Sequence, residues 1–332
     1  MVSITQLKTR TTGQKASQEA AKLSTHTPPA TPTALSTAAY QLLNDLRGIY
    51  QELSYLDDLS PGEKVNGLLT RLVGLCIQPY GSEFEAQFLG IDGVSELCAS
   101  LQPICAIAEG ELERHWARRI LDTPVSTNTS PRSLLRQFPY YTNYVDLSRL
   151  ETSLLRAFLP QATTSTSPLH VAFIGSGPLP LTSFCLLDIL PNVRIHNIDR
   201  DASALQASKE LSEKLSIGKS MNFVHEDVSV EDDATDSDPA KGVQWEDMDV
   251  VFLAALVGMD TTAKLTILES LSRRVRPGTL ILARSARGLR TVLYPVLELS
   301  EDLSRIGYDV LAELHPHTDV VNSVVVLRVR AL

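Results

Sequence analysis

The stretch that most limits how this chain can fold runs from His170 to Ser183: His-Val-Ala-Phe-Ile-Gly-Ser-Gly-Pro-Leu-Pro-Leu-Thr-Ser. Apolar residues Val171 to Ile174 lead straight into Gly175-Ser176-Gly177, and a second apolar run, Leu186 to Leu190, follows. That order reads as a buried strand, a tight turn and a helix. Glycines at 175 and 177 allow a sharp backbone turn and a close approach to a ligand, as in the first βα turn of nucleotide-binding sheets. Residues 193–199 read as a second strand ending in an acid. Asp199 stands near the spacing at which a carboxylate takes a ribose hydroxyl pair. This half of the chain is expected to bind a nucleoside-like cofactor.

The pattern downstream supplies the rest of a sheet. A helix over 203–215 leads to a third strand, 221–225, and on to Asp227. A fourth strand over 249–253 and a helix over 262–275 lead through Arg276-Pro277-Gly278 to a fifth strand, 279–283. Two late strands, 308–312 and 323–327, imply one antiparallel edge strand. Strands alternating with helices predict a doubly wound, Rossmann-like α/β domain over residues 161–332. The acidic segment 229–247 has few apolar residues and reads as a solvated loop.

The first half is read as helical. Residues 1–35 are rich in Ser, Thr, Ala, Lys and Pro without periodicity, which suggests a disordered tail or a transit segment. From Ala38 onward Tyr40, Leu42, Leu43, Leu46 and Tyr50 recur at helix spacing. Ser60-Pro61-Gly62-Glu63 combines an N-cap serine, a proline at the first helical position and a capping-box acid. Further helices are expected over 83–89, 94–101, 104–121 and 147–158, making an all-helical domain over 36–160.

Composition narrows the partners. A chain of 332 residues exceeds one ordinary core, which favours two domains. The net charge of −9 argues against a nucleic-acid surface. No apolar run reaches a membrane span. Cys76, Cys98, Cys105 and Cys185 lie in apolar segments without metal-like spacing and read as reduced thiols of a cytoplasmic protein. The expected partner is a small-molecule substrate, with monomer and homodimer both open.

Two features select among nucleoside cofactors. The turn runs Gly175-x-Gly177-x-x-Pro180, so the third glycine of the dinucleotide fingerprint is missing. Pro277-Gly278 before a buried strand resembles the turn common in class I S-adenosylmethionine enzymes. S-adenosylmethionine is the expected cofactor. Asp199 would hold its ribose and Asp227 its adenine amino group, although either acid also reads as a plain strand-end or cap carboxylate. Phe173 stands where methyltransferases of this class usually carry an acid, which points away from routine methyl transfer.

Several longer stretches carry a resemblance. They are Ser60-Pro61 with Val65-Asn66, Ala108-Glu109-Gly110, Phe138-Pro-Tyr-Tyr-Thr-Asn-Tyr144, Gly175 to Thr182, Asp249-Val-Val-Phe-Leu-Ala-Ala-Leu-Val-Gly-Met-Asp260, Arg284-Ser285-Ala286 and Val321-Asn-Ser-Val324. In this order, from about residue 50 to 327, the chain resembles the nicotianamine synthase family. The resemblance implies transfer of 3-amino-3-carboxypropyl groups among three S-adenosylmethionine molecules, azetidine ring closure and release of methylthioadenosine, without a metal. It assigns Gly175, Ser176, Gly177, Pro178, Leu179 and Ala254 to cofactor binding beside Asp199 and Asp227. Rival readings are a single transfer to another amine acceptor and a small-molecule methyltransferase.

The implied nucleophile is an α-amino group, which must lose a proton before it attacks. Glu109 and Glu113 lie four apart and share a helix face, where burial and mutual repulsion would raise a carboxyl pKa. By resemblance Glu109 is the base, with Glu113 beside it; the alternative is an exposed acidic face paired with Arg114 and Arg118. Tyr140 or Tyr141 would share a hydrogen bond with the amine or the glutamate, and Asn143 and Tyr144 would orient the amino-acid ends. The same cluster also reads as an aromatic seam. Arg284 and Ser285, at the carboxyl edge of the sheet, would clamp a substrate carboxylate or form a structural bridge. Glu111 with His115, and the loop His315-Pro-His317-Thr-Asp319, hold metal-type side chains without a complete ligand set. They read as a solvated helix face and a cleft-capping loop.

Overall fold

The computed structural model of the protein describes residues 34–124, 131–160, 167–230 and 242–331. The expected tail therefore lies outside the described residues, except at its last two positions. Helix α1 (Ala34–Ser54) turns Leu43, Leu46, Ile49 and Leu53 inward at three- and four-residue spacing. They pack with Leu72 of α2 (Glu63–Cys76), Phe88 of α3 (Ser82–Leu89) and Leu101 of α4 (Val94–Asp122). This core also takes in Leu289, Val292, Leu293 and Val321 from far along the chain.

Three helix boundaries differ from the sequence reading. Ser60 does not cap α2: its N–H is held by Asp58 at 2.8 Å, and Gly62 occupies the N-cap position with no side-chain bond. The break expected near Pro103 is absent, because α4 runs unbroken for 29 residues with Pro103 inside it. A proline there removes one i→i−4 bond at a cost of about 3 kcal/mol. The buried stripe Leu97, Leu101, Cys105 and Ala108 continues across it and offsets that loss. After the short α5 (Pro131–Leu135), α6 (Tyr141–Phe158) starts at Tyr141 and not at 147. Its first turn thus carries Tyr141, Asn143 and Tyr144.

The sheet consists of β1 (Leu169–Ile174), β2 (Val193–Asp199), β3 (Met221–His225), β4 (Val250–Leu253), β5 (Leu280–Ser285), β6 (Tyr308–Leu314) and β7 (Ser323–Val329). Their order is β3-β2-β1-β4-β5-β7-β6. The first five strands pair in parallel, whereas β7 is antiparallel to both β5 and β6. The antiparallel strand is therefore inside the sheet, and β6 forms the edge. Burial explains this correction. Val324 to Leu327 have no exposed surface, as a strand covered on both faces requires. Asp309, Val310 and Glu313 of β6 are exposed, as an edge allows, and the β6–β7 register shifts between Val310 and Ala312.

Helices α7 (Leu181–Ile189), α8 (Ala202–Lys214), α9 (Thr261–Arg274) and α10 (Glu301–Arg305) complete a doubly wound Rossmann-like sheet of the class I S-adenosylmethionine type. Alternate strand residues divide between its two faces. Ile174, Ile198, Leu253 and Ile281 enter one core, while Phe173, Ile195, Phe252 and Leu282 enter the other. The acidic segment is not all solvated loop. Val243, Trp245 and Met248 are buried in the first of these cores, with the Arg274 guanidinium 4.6 Å above the Trp245 ring; residues 231–241 lie outside the described ones. Among the described residues no single helix is long and apolar enough to cross a membrane.

One buried ion pair ties α6 to the sheet. Arg284 on β5 donates from Nε and Nη2 to the two carboxylate oxygens of Glu151 at 2.8 and 3.0 Å, and from Nη2 to Thr182 Oγ1 at 2.8 Å. Glu151 is fully buried and Arg284 is 5% exposed. Removing one partner strands the other charge away from water. Glu151→Leu should lower unfolding free energy by about 3–5 kcal/mol in denaturant titration. Adding Arg284→Met to it should return most of that loss.

Candidate functional site

Two glycines bring the sheet and α4 together. Gly175 (φ 78°) and Gly177 (φ 66°) both adopt the left-handed conformation that favours glycine. A Cβ on Gly175 would lie 2.4 Å from Val257 Cγ2, and one on Gly177 would lie 2.5 Å from Glu113 Oε2. The turn is pinned from β2: Gly175 N–H donates to Ile198 O at 2.8 Å, and Gly177 N–H to Asp199 Oδ2 at 2.8 Å. The other Asp199 oxygen accepts from Asp201 N–H at 3.0 Å.

Between this turn, α4, the first turn of α6 and Val321–Asn322 lies a cavity of about 770 Å³. That lies in the upper half of the range for small-molecule pockets (about 300–1,000 Å³). Every residue assigned to cofactor binding lines it: Gly175, Ser176, Gly177, Pro178 and Leu179 from the turn, Asp199 after β2, Asp227 after β3 and Ala254 after β4. Asp227 also closes its own loop, accepting from Ser229 N–H at 3.0 Å and from Ser229 Oγ at 2.5 Å, contacts that hold its carboxyl below the usual range.

On the opposite wall, α4 presents Glu109 and Glu113 one turn apart. The Tyr144 hydroxyl stands between them, 3.0 Å from Glu113 Oε1 and 3.4 Å from Glu109 Oε1. Tyr294 O–H donates to Glu109 Oε2 at 2.8 Å. Burial raises the carboxyl pKa of Glu113 well above its usual value, and the charge of Glu109 adds to this. Burial also raises Glu109, but hydrogen bonds from Tyr294 and Tyr144 and the positive Arg284 pull against it. The pair therefore favours a charged Glu109 beside a protonated Glu113. Burial pushes both tyrosine hydroxyls far up, helped by Glu113 and Glu109 at Tyr144 and by Glu109 at Tyr294, so they stay donors.

The remaining candidates separate. Tyr140 lines the cavity and packs edge-on against Phe138. Asn143 lines it too, with its Nδ2 donating to Asp319 O at 2.5 Å, which ties α6 to the loop before β7. Tyr141 does not line the cavity; it packs in the cluster around Trp116 and Phe138. Ser285 is also outside it: fully buried, its Oγ accepts from Leu297 N–H at 2.9 Å, which is a structural role. Arg284 reaches the cavity wall, but Glu151 occupies its fork, so it supplies positive potential and no open clamp. The alternative of an exposed face paired with Arg114 does not hold at Glu109 or Glu113, because Arg114 binds Glu111 at 2.8 Å and Asp201 at 3.1 Å.

Tyr294 is absent from the sequence reading. It follows the short 3-10 turn Gly288–Val292, and no local motif marks it. Among the described residues there is no group of three or more His, Cys, Asp or Glu side chains placed to hold a metal. His315 instead lies between Arg290 Nη1 at 3.0 Å and Ser323 Oγ at 2.9 Å.

Comparison with known proteins gives this geometry a family. The family model described as nicotianamine synthase protein matches residues 36–331. The chain is 39% identical to nicotianamine synthase 2 of Arabidopsis thaliana over 289 residues, 86% of this chain and 83% of that protein. It is 38% identical to nicotianamine synthase 9 of Hordeum vulgare, covering 86% of this chain and 78% of that one. Among solved structures, a Glu-to-Gln mutant of MtNAS superposes with a TM-score of 0.70 at 19% identity, covering 89% of this chain and 98% of that one. MtNAS in complex with MTA and tNA gives 0.68 at 19% identity, over 91% and 100% of the two chains. With a family match along nearly its whole length and that level of identity to named relatives, the chain belongs to the nicotianamine synthase family of S-adenosylmethionine-dependent aminocarboxypropyl transferases.

Proposed function

We propose that the chain condenses three S-adenosylmethionine molecules into nicotianamine within this one cavity, with Glu109 as the base. The observation that carries the assignment is the Tyr294 O–H donated to Glu109 Oε2 at 2.8 Å, a bond that favours the charged form of Glu109. MtNAS, a structural neighbour of the same fold, has been crystallised with S-adenosylmethionine (as a Glu-to-Gln mutant) and with MTA and tNA, which supports S-adenosylmethionine as the donor.

The donor's adenosine occupies the turn, its ribose diol toward Asp199. Each Asp199 oxygen already accepts one backbone N–H and keeps a lone pair for a hydroxyl. The acceptor amine lies near Glu109, which takes its proton. The nitrogen lone pair then attacks the terminal side-chain carbon of the donor's aminocarboxypropyl group, in line with the carbon–sulfur bond. That bond breaks with its electron pair on sulfur, and neutral methylthioadenosine leaves. Ring closure repeats the step within one unit: its own nitrogen displaces methylthioadenosine from its own terminal carbon and forms the azetidine. The leaving group is a sulfonium that departs neutral, so the substrate supplies its own activation and the step calls for no Lewis acid. Water exclusion and carboxylates around the cationic donor are what the protein adds.

Three measurements test this reading. Incubation with S-adenosylmethionine alone should yield methylthioadenosine and nicotianamine by mass; S-adenosylhomocysteine, or a need for a second amine, would replace it with the methyltransferase or single-transfer reading. Glu109→Gln should bind methylthioadenosine normally while turnover drops about 10²–10⁴-fold, and near wild-type turnover would remove the base role. Tyr294→Phe takes away a bond that lowers the Glu109 pKa, so the acid limb of the kcat profile should move to higher pH.

Glu113 gives a prediction on stability. Its folded pKa lies above the ordinary carboxyl value, so its favourable contribution is complete at acid pH. It is lost as pH rises from the ordinary value through the folded one. Glu113→Gln should therefore raise the Tm of the empty protein at pH 7.5 and leave it nearly unchanged at pH 4.

A further inference from the structure

Lys264 has no part in the chemistry above, yet its side chain is fully buried in the sheet half of the molecule. It lies in the first turns of α9, where its Nζ donates to Ala255 O at 2.8 Å and Val257 O at 2.9 Å. Burial alone shifts its pKa, down to about 7, and no carboxylate stands among the influences on it. A neutral amine still has two N–H groups, enough for both carbonyls.

The two carbonyls belong to the loop that leaves β4, and this loop lines the cavity through Ala254, Ala255, Val257 and Gly258. Its conformation is tight. Val257 N–H returns to Ala254 O at 3.1 Å, and Gly258 has φ 73° with no room for a Cβ, which would meet Lys264 N at 2.8 Å. On its other side the loop presses on the glycine turn, where Val257 Cγ2 fills the space a Gly175 side chain would need. An unbroken series of contacts thus runs from the Lys264 amine through Val257 to Gly175.

We propose that Lys264 is a positioning residue for donor binding, clamping the loop after β4 against the glycine turn and so setting the width of the donor end of the cavity. This rests on the reading that the glycine turn holds the adenosyl group. The lysine touches no reacting atom; it acts through two carbonyls and the Val257 side chain. Without it, two buried carbonyls lose their donors, and the loop must move to recover partners from water. Any such movement opens the space beside Gly175.

The test is methylthioadenosine binding by calorimetry, far below the melting temperature, on the full chain. Lys264→Met keeps the stem's bulk and removes the donors; its dissociation constant should rise about tenfold or more. Lys264→Gln, with amide N–H donors on a shorter arm, should recover part of that loss. Gly258→Ala would set a Cβ 2.8 Å from Lys264 Cγ and N, so it displaces the loop together with the lysine stem and should weaken binding in the same direction; Lys264→Gln decides the matter if Lys264→Met does not fold. In turnover, KM for S-adenosylmethionine should rise more than kcat falls. A lowered Tm with unchanged methylthioadenosine affinity in these variants would make Lys264 a stability residue only and overturn the proposal. Failure of the wild-type chain to bind methylthioadenosine would overturn the donor-site reading, and this proposal with it.

Discussion

A glutamate carboxylate resting against the α-carbon of a glycine holds the site together. Glu113 reaches Gly177 so closely that no side chain fits between them. The contact marks where α4 comes up to the carboxyl edge of the sheet, with the donor turn on one side and the base on the other. Asp199 holds Gly177 from behind through its N–H. The same residue pair therefore sets both the backbone of the donor site and the depth of the cavity.

Electrostatics follow from that geometry. The cavity places Glu109, Glu113, Asp199 and Asp227 around a space meant for a sulfonium. Two buried carboxyls one helical turn apart cannot both ionise cheaply. Tyr294 resolves the conflict, since its O–H goes to Glu109 alone, while the single Tyr144 O–H lies between the two acids and nearer Glu113. Arg284 adds positive potential from the wall, while its bond to Glu151 keeps it from pairing with a substrate acid. The arrangement balances one charged acid against one neutral one, which suits a base that must release its proton between successive condensations.

Much of this was legible in the sequence, and the exceptions have physical causes. The strand–Gly–strand–acid order from Val171 to Asp199 depends on local backbone preferences, so it announces the sheet and the donor turn directly. Glu109 and Glu113 were visible because helical period alone puts them on one face. The interior placement of β7 was not, because strand order is a long-range property and a hairpin-like pair has the same local pattern at an edge or inside. Pro103 reads as a break because local propensity ignores the buried stripe on both sides of it. Trp245 sits in an acidic stretch, and only its packing under Arg274 reveals a core residue. Ser285 and Tyr141 stand beside true lining residues in sequence but point elsewhere.

Tyr294 carries a different lesson. It is bonded to a glutamate 185 positions earlier in the chain, and its neighbour Leu293 packs into the core built by the first helices. Closing so long a loop costs entropy that no local segment can repay. The acid–hydroxyl pair thus forms only once the last third of the chain has docked onto the first. Until then Glu109 has no Tyr294 hydroxyl to hold its charge, and a nascent or truncated chain that binds the reactive sulfonium lacks the poised base needed to consume it. Competence is deferred until Tyr294 has been made and docked.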